Sequence, residues 1–259
     1  MSRDRRLRVP IEGIAAGERE LSKEAAIYVA RVHRLGEGDA FTAFDPERAI
    51  EATAVIVACS ARSVRVAIDG VKPAEVTAPR AVTLVQALGK GDKLDAIVRD
   101  ATELGVTRVL PVIAERSVGR PSDATARLAR WRRIAIEAAR QCGRGDAPRI
   151  DAPEPLIEAV RAIAGGERTG SSRGACLAPS APRSLGDVLI ALPPAAPFTI
   201  VVGPEGGLSP AEIEACEAVG WPAASLGPLV LRTETVCAAV LGALLVLAQR
   251  TEGEPALRA

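Results

Sequence analysis

From residue 81 onward, short apolar runs alternate with stretches of helical period, and this alternation limits the possible folds more than any other feature. Five runs have the composition of strands: 81–88, 107–114, 174–179, 198–203 and 223–227. Four stretches have helical periodicity or helix-start signals: 92–105, 123–142, 209–220 and 234–250. Strands that alternate with helices form a mostly parallel sheet covered on both faces. The sequence therefore predicts an α/β domain over residues 80–259.

Residues 1–75 have a different pattern, that of a small and mainly β unit. Three β-type runs, separated by short turns, lie at 39–45, 52–60 and 63–70. A helix is predicted before them over 22–34, with Ser22 as its N-cap. The segment 71–80 contains two prolines and no clear period, so it is the predicted linker.

Composition excludes several classes of protein. The longest apolar run, Val236–Ala248, is shorter than the ~20 residues that a membrane helix needs. The five cysteines form no CxxC pair and the one histidine is His33, which disfavours a zinc site, a disulfide framework or a histidine-dependent triad. The N-terminus carries charges without a following apolar stretch. We therefore expect a cytoplasmic protein with no membrane segment and no metal.

Positive charge is concentrated in residues 108–149, which contain ten arginines and four acidic residues. Within the predicted helix over 123–142, an apolar stripe at helical spacing indicates a packing face: Leu128, Trp131, Ala135, Ala138 and Cys142. An arginine stripe lies on the opposite side and extends just past the helix: Arg130, Arg133, Arg140 and Arg144. Such a face is either simply solvated or contacts a phosphate backbone. The sequence leaves both readings open.

Two loops leave the ends of predicted strands with unusual composition. The first is "GPEGG" over 203–207, and the second is "LGPLVLRTETV" over 226–236. Neither matches the dinucleotide or P-loop pattern, and Glu205 would repel a phosphate. Glycine and proline expose backbone groups in fixed directions, which suits a ligand with an adenine edge, ribose hydroxyls and a positive centre. S-adenosylmethionine fits that description, although two tight turns without a ligand would explain the same residues.

Four motifs in succession carry a resemblance to a known family. They are "KGDKLDAIVRDATELGVTRVLPVIAERSV" (90–118), "WRRIAIEAARQCGR" (131–144), "VVGPEGGLSPAEIEA" (201–215) and "LGPLVLRTETVCAAVLGAL" (226–244). Over residues 80–250 the chain resembles the RsmE family of SPOUT-class methyltransferases, which methylates ring N3 of a uridine in 16S ribosomal RNA. Residues 1–75 resemble that family's RNA-binding PUA-like β-barrel more loosely.

The resemblance implies a fold and a cofactor site. The fold would be a SPOUT-type parallel sheet with a C-terminal trefoil knot, in an obligate homodimer. The apolar helix over 236–248 is too short for a membrane and richer in Ala, Val and Leu than one buried face requires, so it is the candidate for the interface. S-adenosylmethionine would be held at the knot by three loops. The cofactor-binding residues implied are Leu177, Gly203, Pro204, Glu205, Gly206, Gly207, Leu226, Gly227, Leu231 and Arg232.

The chemistry implied requires the imide N–H of uridine to lose its proton and the resulting charge to be stabilised. Arg232 is the candidate for charge stabilisation, unless it forms a salt bridge with Glu234 or Glu205. Glu205 is a second candidate, as a group that orients the loop or meets the positive end of the cofactor; the proton acceptor is not identified. Candidate contacts with 16S rRNA of the small ribosomal subunit are Arg8, Arg116, Arg140 and Arg144.

Two alternatives to this function stay open. One is a SPOUT methyltransferase acting on another RNA site, in tRNA or large-subunit rRNA. The other is a non-catalytic RNA-binding assembly factor, which would not bind the cofactor.

Overall fold

The computed structural model describes residues 7–60, 63–118, 124–166 and 173–249. Its contacts divide the chain into two compact units. The first comprises Met1–Thr77 with Ile136–Ala147, and the second comprises Ala78–Ala135 with Pro148–Ala259. One long helix therefore contributes residues to both units.

The first unit is built on a five-stranded sheet with the order β1-β3-β4-β5-β2. Its strands are β1 (Arg8–Pro10), β2 (Gly17–Glu20), β3 (Ala40–Asp45), β4 (Ile50–Cys59) and β5 (Val64–Pro73). β1 pairs with β3 in parallel and the other pairs are antiparallel. The three strands predicted from the sequence correspond to β3, β4 and β5.

The predicted helix after Ser22 is present but changes character along its length. The Ser22 hydroxyl accepts a hydrogen bond from the Ala25 backbone N–H at 3.2 Å and so caps α1 (Lys23–Ala26). The chain then continues as a π-helix over Ile27–Val32, in which the His33 N–H donates to the carbonyl of Tyr28, five residues back. The side chains of Tyr28 and His33 contact edge to face, with ring centroids 4.5 Å apart.

The second unit contains a seven-stranded parallel sheet. The main path has the order β12-β10-β11-β6-β7-β8, with β9 pairing beside β7. Its strands are β6 (Val82–Ala87), β7 (Arg108–Ile113), β8 (Arg149–Ile150), β9 (Glu154–Pro155), β10 (Gly174–Leu177), β11 (Phe198–Val202) and β12 (Ala223–Ala224). The predicted α/β class with a parallel sheet is confirmed, and all five predicted strands are present.

Helices cover both faces of this sheet. They are α2 (Lys93–Glu103), α3 (Ala124–Cys142), α4 (Leu156–Ala164), α5 (Leu185–Ile190), α6 (Pro210–Ala218) and α7 (Thr233–Leu247). Successive residues of a strand point to opposite faces: Leu84 packs in the cluster with α2, α3, α5 and α7, whereas Val85 packs in the cluster with α4 and α6. The sheet core thus consists of two apolar layers. The sequence pattern did not predict α4, α5, β8 or β9.

We expect Gly174 in β10 to tolerate no larger residue. A Cβ atom there would lie 2.7 Å from the carbonyl oxygen of Thr199 and 2.9 Å from the ring of Trp221. Overpacking of this kind costs ~1–3 kcal/mol, so Gly174→Ala should lower the free energy of unfolding by about that amount in urea titrations. Gly36→Ala is the matched control, because a Cβ at Gly36 meets nothing within 4 Å. Equal stability of the two variants would contradict this packing.

Candidate active site

The loops singled out in the sequence leave neighbouring strands at one edge of the sheet. β12, β10, β11 and β6 are adjacent and parallel, so their carboxyl ends lie at the same edge. Leu177 ends β10, the loop 203–207 follows β11, and the loop 226–232 follows β12. Ligands of open parallel sheets bind at this edge. The structure therefore brings the three predicted cofactor loops together.

A cavity lies between the loops that follow β10 and β12. Four predicted cofactor residues line it: Leu177, Leu226, Gly227 and Leu231. The other lining residues are Ala178, Pro179, Ala224, Ser225, Leu229 and Val236. The side chains are mostly apolar, so polar recognition there depends on backbone groups. The remaining predicted cofactor residues, 203–207 and Arg232, are not part of this lining.

The loop 203–207 is a tight turn that depends on glycine. A Cβ at Gly203 would lie 3.0 Å from the backbone nitrogen of Leu208, and Gly207 has a φ of 72°, in the left-handed region. The Gly207 N–H donates to the Pro204 carbonyl at 2.8 Å, and a guanidinium N–H of Arg116 donates to the Gly206 carbonyl at 2.9 Å. The geometry of the turn therefore explains why glycine occupies positions 203 and 207, and the hydrogen bond from Arg116 stabilises the turn.

A buried hydrogen-bond network fixes this turn to the start of α7. The Thr233 hydroxyl donates to the Gly203 carbonyl and accepts from the Gln86 side-chain amide, each at 3.2 Å. The Cys237 thiol donates to the Gln86 side-chain oxygen, with S···O at 2.8 Å. Burial raises the pKa of Cys237 to about 12, which keeps this donor protonated. The network joins β6, β11 and α7.

Sequence reasoning missed Gln86, although a signal was present. It is the one amide side chain in the strand run 81–88, whose other residues are apolar except for Thr83, and in the structure it is fully buried. A polar group inside a buried strand requires hydrogen-bond partners, so such a residue indicates a contact at that strand end.

Lys93 lies between two carboxylates beside the loop 203–207. Its ammonium nitrogen is 2.6 Å from a Glu205 oxygen and 3.9 Å from a Glu234 oxygen. The hydrogen bond with Lys93 lowers the pKa of Glu205, and the same bond raises the pKa of Lys93. The structure thus corrects the alternative in which Arg232 pairs with Glu205 or Glu234, since Lys93 is the cation beside both. Within the described part of the chain, the exposed Arg232 guanidinium has no carboxylate partner.

A capping contact holds the start of α6. The Glu212 carboxylate accepts the backbone N–H of Ser209 at 2.8 Å, as in a capping box. Its other oxygen accepts the backbone N–H of Glu115, also at 2.8 Å. Glu212 therefore also connects α6 to the loop that follows β7.

The four arginines predicted to contact RNA have partners within the chain. Arg8 pairs with Glu51 at 3.1 Å and Arg116 braces the loop 203–207. Arg140 lies 4.0 Å over the Tyr28 ring and pairs with Glu137, while the buried Arg144 pairs with Asp146 at 2.6 Å. The predicted arginine face is therefore wrong for Arg140 and Arg144, which pack inward. RNA contact by any of the four stays a prediction.

The opposite, apolar side of α3 is confirmed as a packing face. Trp131, Ala135 and Ala138 are buried, and the Trp131 indole N–H donates to Asp95 at 3.0 Å. Arg130 and Arg133 are exposed, as predicted. Arg130 nevertheless reaches Asp95 on α2, at 2.5 Å.

No helix in the described ranges is long and apolar enough to span a membrane. Those residues also contain no group of three or more His, Cys, Asp or Glu side chains placed to hold a metal ion.

Comparison with known proteins agrees with this geometry. Residues 76–245 match the model of the RNA methyltransferase domain family. The ribosomal RNA small subunit methyltransferase E of Bacillus subtilis is 35% identical over 182 residues, which cover 67% of this chain and 68% of that protein. The chain belongs to this RNA methyltransferase family. The Synechocystis enzyme of the same name is 36% identical, but the match covers 64% of this chain and only 54% of the relative.

Solved structures of the family cover nearly the whole chain. A methyltransferase from Legionella pneumophila, described with the cofactor SAM bound, has a TM-score of 0.82 and 31% identity and covers 93% of this chain and 98% of its own. The ribosomal RNA small subunit methyltransferase E of Neisseria gonorrhoeae, described as bound to S-adenosyl methionine, has a TM-score of 0.81 and 29% identity at the same coverage. The family resemblance drawn from the four sequence motifs is confirmed.

We expect Thr233→Val to destabilise the second unit. The change leaves the Gly203 carbonyl without its donor and the Gln86 amide with one partner fewer, and unsatisfied buried groups cost ~1–3 kcal/mol. Urea unfolding should show a loss of about that size, and Thr233→Ser should restore most of it. Thr125→Val is the matched control, since Thr125 is an exposed threonine of α3 in the second unit and its replacement should change stability by less than ~0.5 kcal/mol. Equal losses at 233 and 125 would contradict the network.

Proposed function

We propose that this protein transfers the methyl group of S-adenosylmethionine to ring N3 of a uridine in the 16S ribosomal RNA of the small subunit. The observation that carries the proposal is the apolar cavity at the carboxyl edge of a parallel sheet, formed by loops of neighbouring strands. Membership of the RNA methyltransferase family and the names of its relatives support the substrate class.

The cofactor would contact the apolar loops after β10 and β12 and also the glycine-rich loop after β11. Leu177, Leu226, Gly227 and Leu231 present apolar side chains and backbone groups suited to a planar adenine ring. The loop 203–207 would meet the rest of the cofactor through its backbone. We assign Glu205 to shaping the loop. Its carboxylate is bound to Lys93. The carboxylate also packs closely against Gly89, where an added Cβ atom would lie 3.1 Å from one of its oxygens. Two solved relatives are described with this cofactor bound.

Methyl transfer from a sulfonium to nitrogen is an in-line displacement, so alignment of donor and acceptor supplies much of the acceleration. The uridine N3 must be deprotonated before or during attack, and the negative charge spreads onto the two ring carbonyl oxygens. We assign Arg232 to stabilising that charge. Its guanidinium is exposed at the N-cap of α7, next to the network that fixes both cofactor loops.

We also propose that the C-terminal segment forms a trefoil knot. The sheet order separates β12 from β6 by β10 and β11. Thr233 nevertheless contacts both Gly203 and Gln86, so the segment 225–233 passes the ends of β10 and β11 to reach them. A knot formed by threading this segment would explain that route.

Two domains would follow, a PUA-like β-barrel over residues 1–75 and a SPOUT methyltransferase domain over 80–259. The five-stranded, mostly antiparallel sheet of the first unit supports the assignment of the first. A ribosomal RNA substrate would place the protein in the cytoplasm.

The protein would act as a homodimer. One side of α7 is exposed and uncharged, and it consists of Thr235, Ala239, Ala243 and Val246. Val246 is 67% exposed, and the loop residues Leu229 and Val230 are 72% and 84% exposed. Exposed apolar surface of this kind is typical of subunit interfaces. Sedimentation equilibrium of the purified protein tests the proposal.

We expect S-adenosylhomocysteine to bind the wild-type protein in calorimetric titrations and Gly227→Val to weaken that binding at least ~10-fold. Gly227 has a φ of 112°, which valine adopts only under strain of ~1–3 kcal/mol. Gly38→Val is the matched control, because Gly38 also has a positive φ of 87° and open space around it but lies in the first unit. Unchanged affinity in Gly227→Val would contradict the placement of the site.

The substrate is tested in a Bacillus subtilis strain that lacks its relative and carries the gene for this chain. We expect nucleoside analysis of purified 16S rRNA to find 3-methyluridine, and to find none in the strain with the empty vector. Methylation restored only in tRNA or large-subunit rRNA would favour another SPOUT activity. Absence of both methylation and cofactor binding would favour an assembly factor.

A further inference from the structure

The segments 203–212 and 226–236 contain three carboxylates: Glu205, Glu212 and Glu234. Two of them are fully engaged. Glu205 is bound to Lys93 at 2.6 Å, and Glu212 accepts two backbone N–H groups at 2.8 Å. Neither is free to take a proton without losing a structural contact that holds the loop 203–207 or the start of α6.

Glu234 is different. One of its carboxylate oxygens is buried and has no hydrogen-bond partner among the described residues, and the ammonium of Lys93 lies 3.9 Å away, beyond hydrogen-bond length. The side chain as a whole stays 29% accessible. An unsatisfied buried acceptor is uncommon and costs free energy, and a catalytic role is one of the recognised reasons for such a group.

The position of Glu234 is fixed relative to both cofactor loops. It follows Thr233, whose hydroxyl is bonded to the Gly203 carbonyl, and it lies two residues after Arg232. Near the two loops, Glu205 and Glu212 are bound to other groups, and burial raises the pKa of the Cys237 thiol. Of the three carboxylates in these segments, Glu234 is thus the one left beside the candidate charge-stabilising arginine.

We propose that Glu234 is the catalytic base that takes the N3 proton of the substrate uridine, an inference that rests on the proposed function. As the carboxylate binds the imide proton, the N3–H bond breaks and an O–H bond forms. The N3 lone pair then attacks the methyl carbon, and the C–S bond breaks with its electron pair going to sulfur. The products are 3-methyluridine, S-adenosylhomocysteine and a protonated Glu234, which releases its proton to solvent.

The surrounding charges suit this cycle. When Glu234 is protonated, Lys93 retains Glu205 as its partner, so neutralisation leaves no unpaired cation. The Lys93 ammonium lies 3.9 Å from a Glu234 oxygen, beyond hydrogen-bond length, so Lys93 does not occupy a lone pair of that carboxylate.

The test compares Glu234→Gln with wild type in single-turnover methyl transfer to reconstituted small subunits. One batch contains ordinary 16S rRNA transcript, and the other contains transcript made with 5-fluorouridine, whose N3–H is more acidic. Loss of a general base should slow transfer to ordinary RNA by about 100-fold or more. The deficit should shrink to ~10-fold or less on the fluorinated RNA, because a more acidic imide needs the base less. Affinity for S-adenosylhomocysteine should stay within ~2-fold of wild type.

Glu214→Gln is the matched control, because Glu214 is an exposed residue of α6, and its rates should equal those of wild type on both RNAs. Wild-type rates in Glu234→Gln would overturn the proposal, as would an equal deficit on both RNAs, which indicates positioning alone. Loss of S-adenosylhomocysteine binding would also overturn it by assigning Glu234 to the cofactor. If wild type itself transfers no methyl group, the proposed function fails instead.

Discussion

The hydrogen bond from the Thr233 hydroxyl to the Gly203 carbonyl is the contact on which the site depends. It joins the turn after β11 to the first residue of α7, and Gln86 extends the connection to β6. Because all these groups are buried, none can exchange its partner for water, and each unmade bond would carry a desolvation cost. The two cofactor loops are therefore held in one arrangement by a short polar network inside an apolar core.

The ion pair at the surface of the site follows from the order of the strands in the sheet. β6 lies beside β11, so the residue that starts α2 after β6 comes close to the loop after β11. Lys93 and Glu205 are paired for this reason, although 112 residues separate them in the sequence. The pairing accounts for the glutamate in the glycine-rich loop as a loop-shaping residue. Of the three carboxylates in the two segments, Glu234 is the one with a buried oxygen that accepts no hydrogen bond from the described residues.

The sequence predicted the sheet well because its strands are short apolar runs buried on both faces, as in β6 and β11. It failed where local signals were missing. α4 begins after Pro155 with no side-chain cap, so its start carries no polar marker, and α5 has only six residues. Helical periodicity placed Arg140 on one side of α3 but could not indicate that Tyr28 lies opposite it. Similarly, the pairing of Lys93 with Glu205 depends on the strand order, which the sequence pattern did not predict.

The proposed function depends most directly on where the cofactor binds. A crystal structure of the protein with S-adenosylhomocysteine measures this. We predict electron density for the ligand between Leu177, the loop 203–207 and the loop 226–232, with its adenine against Leu226 and Leu231. Density elsewhere, for example in the cavity lined by Gly91, Arg127 and Trp131, with none at these loops, would contradict it.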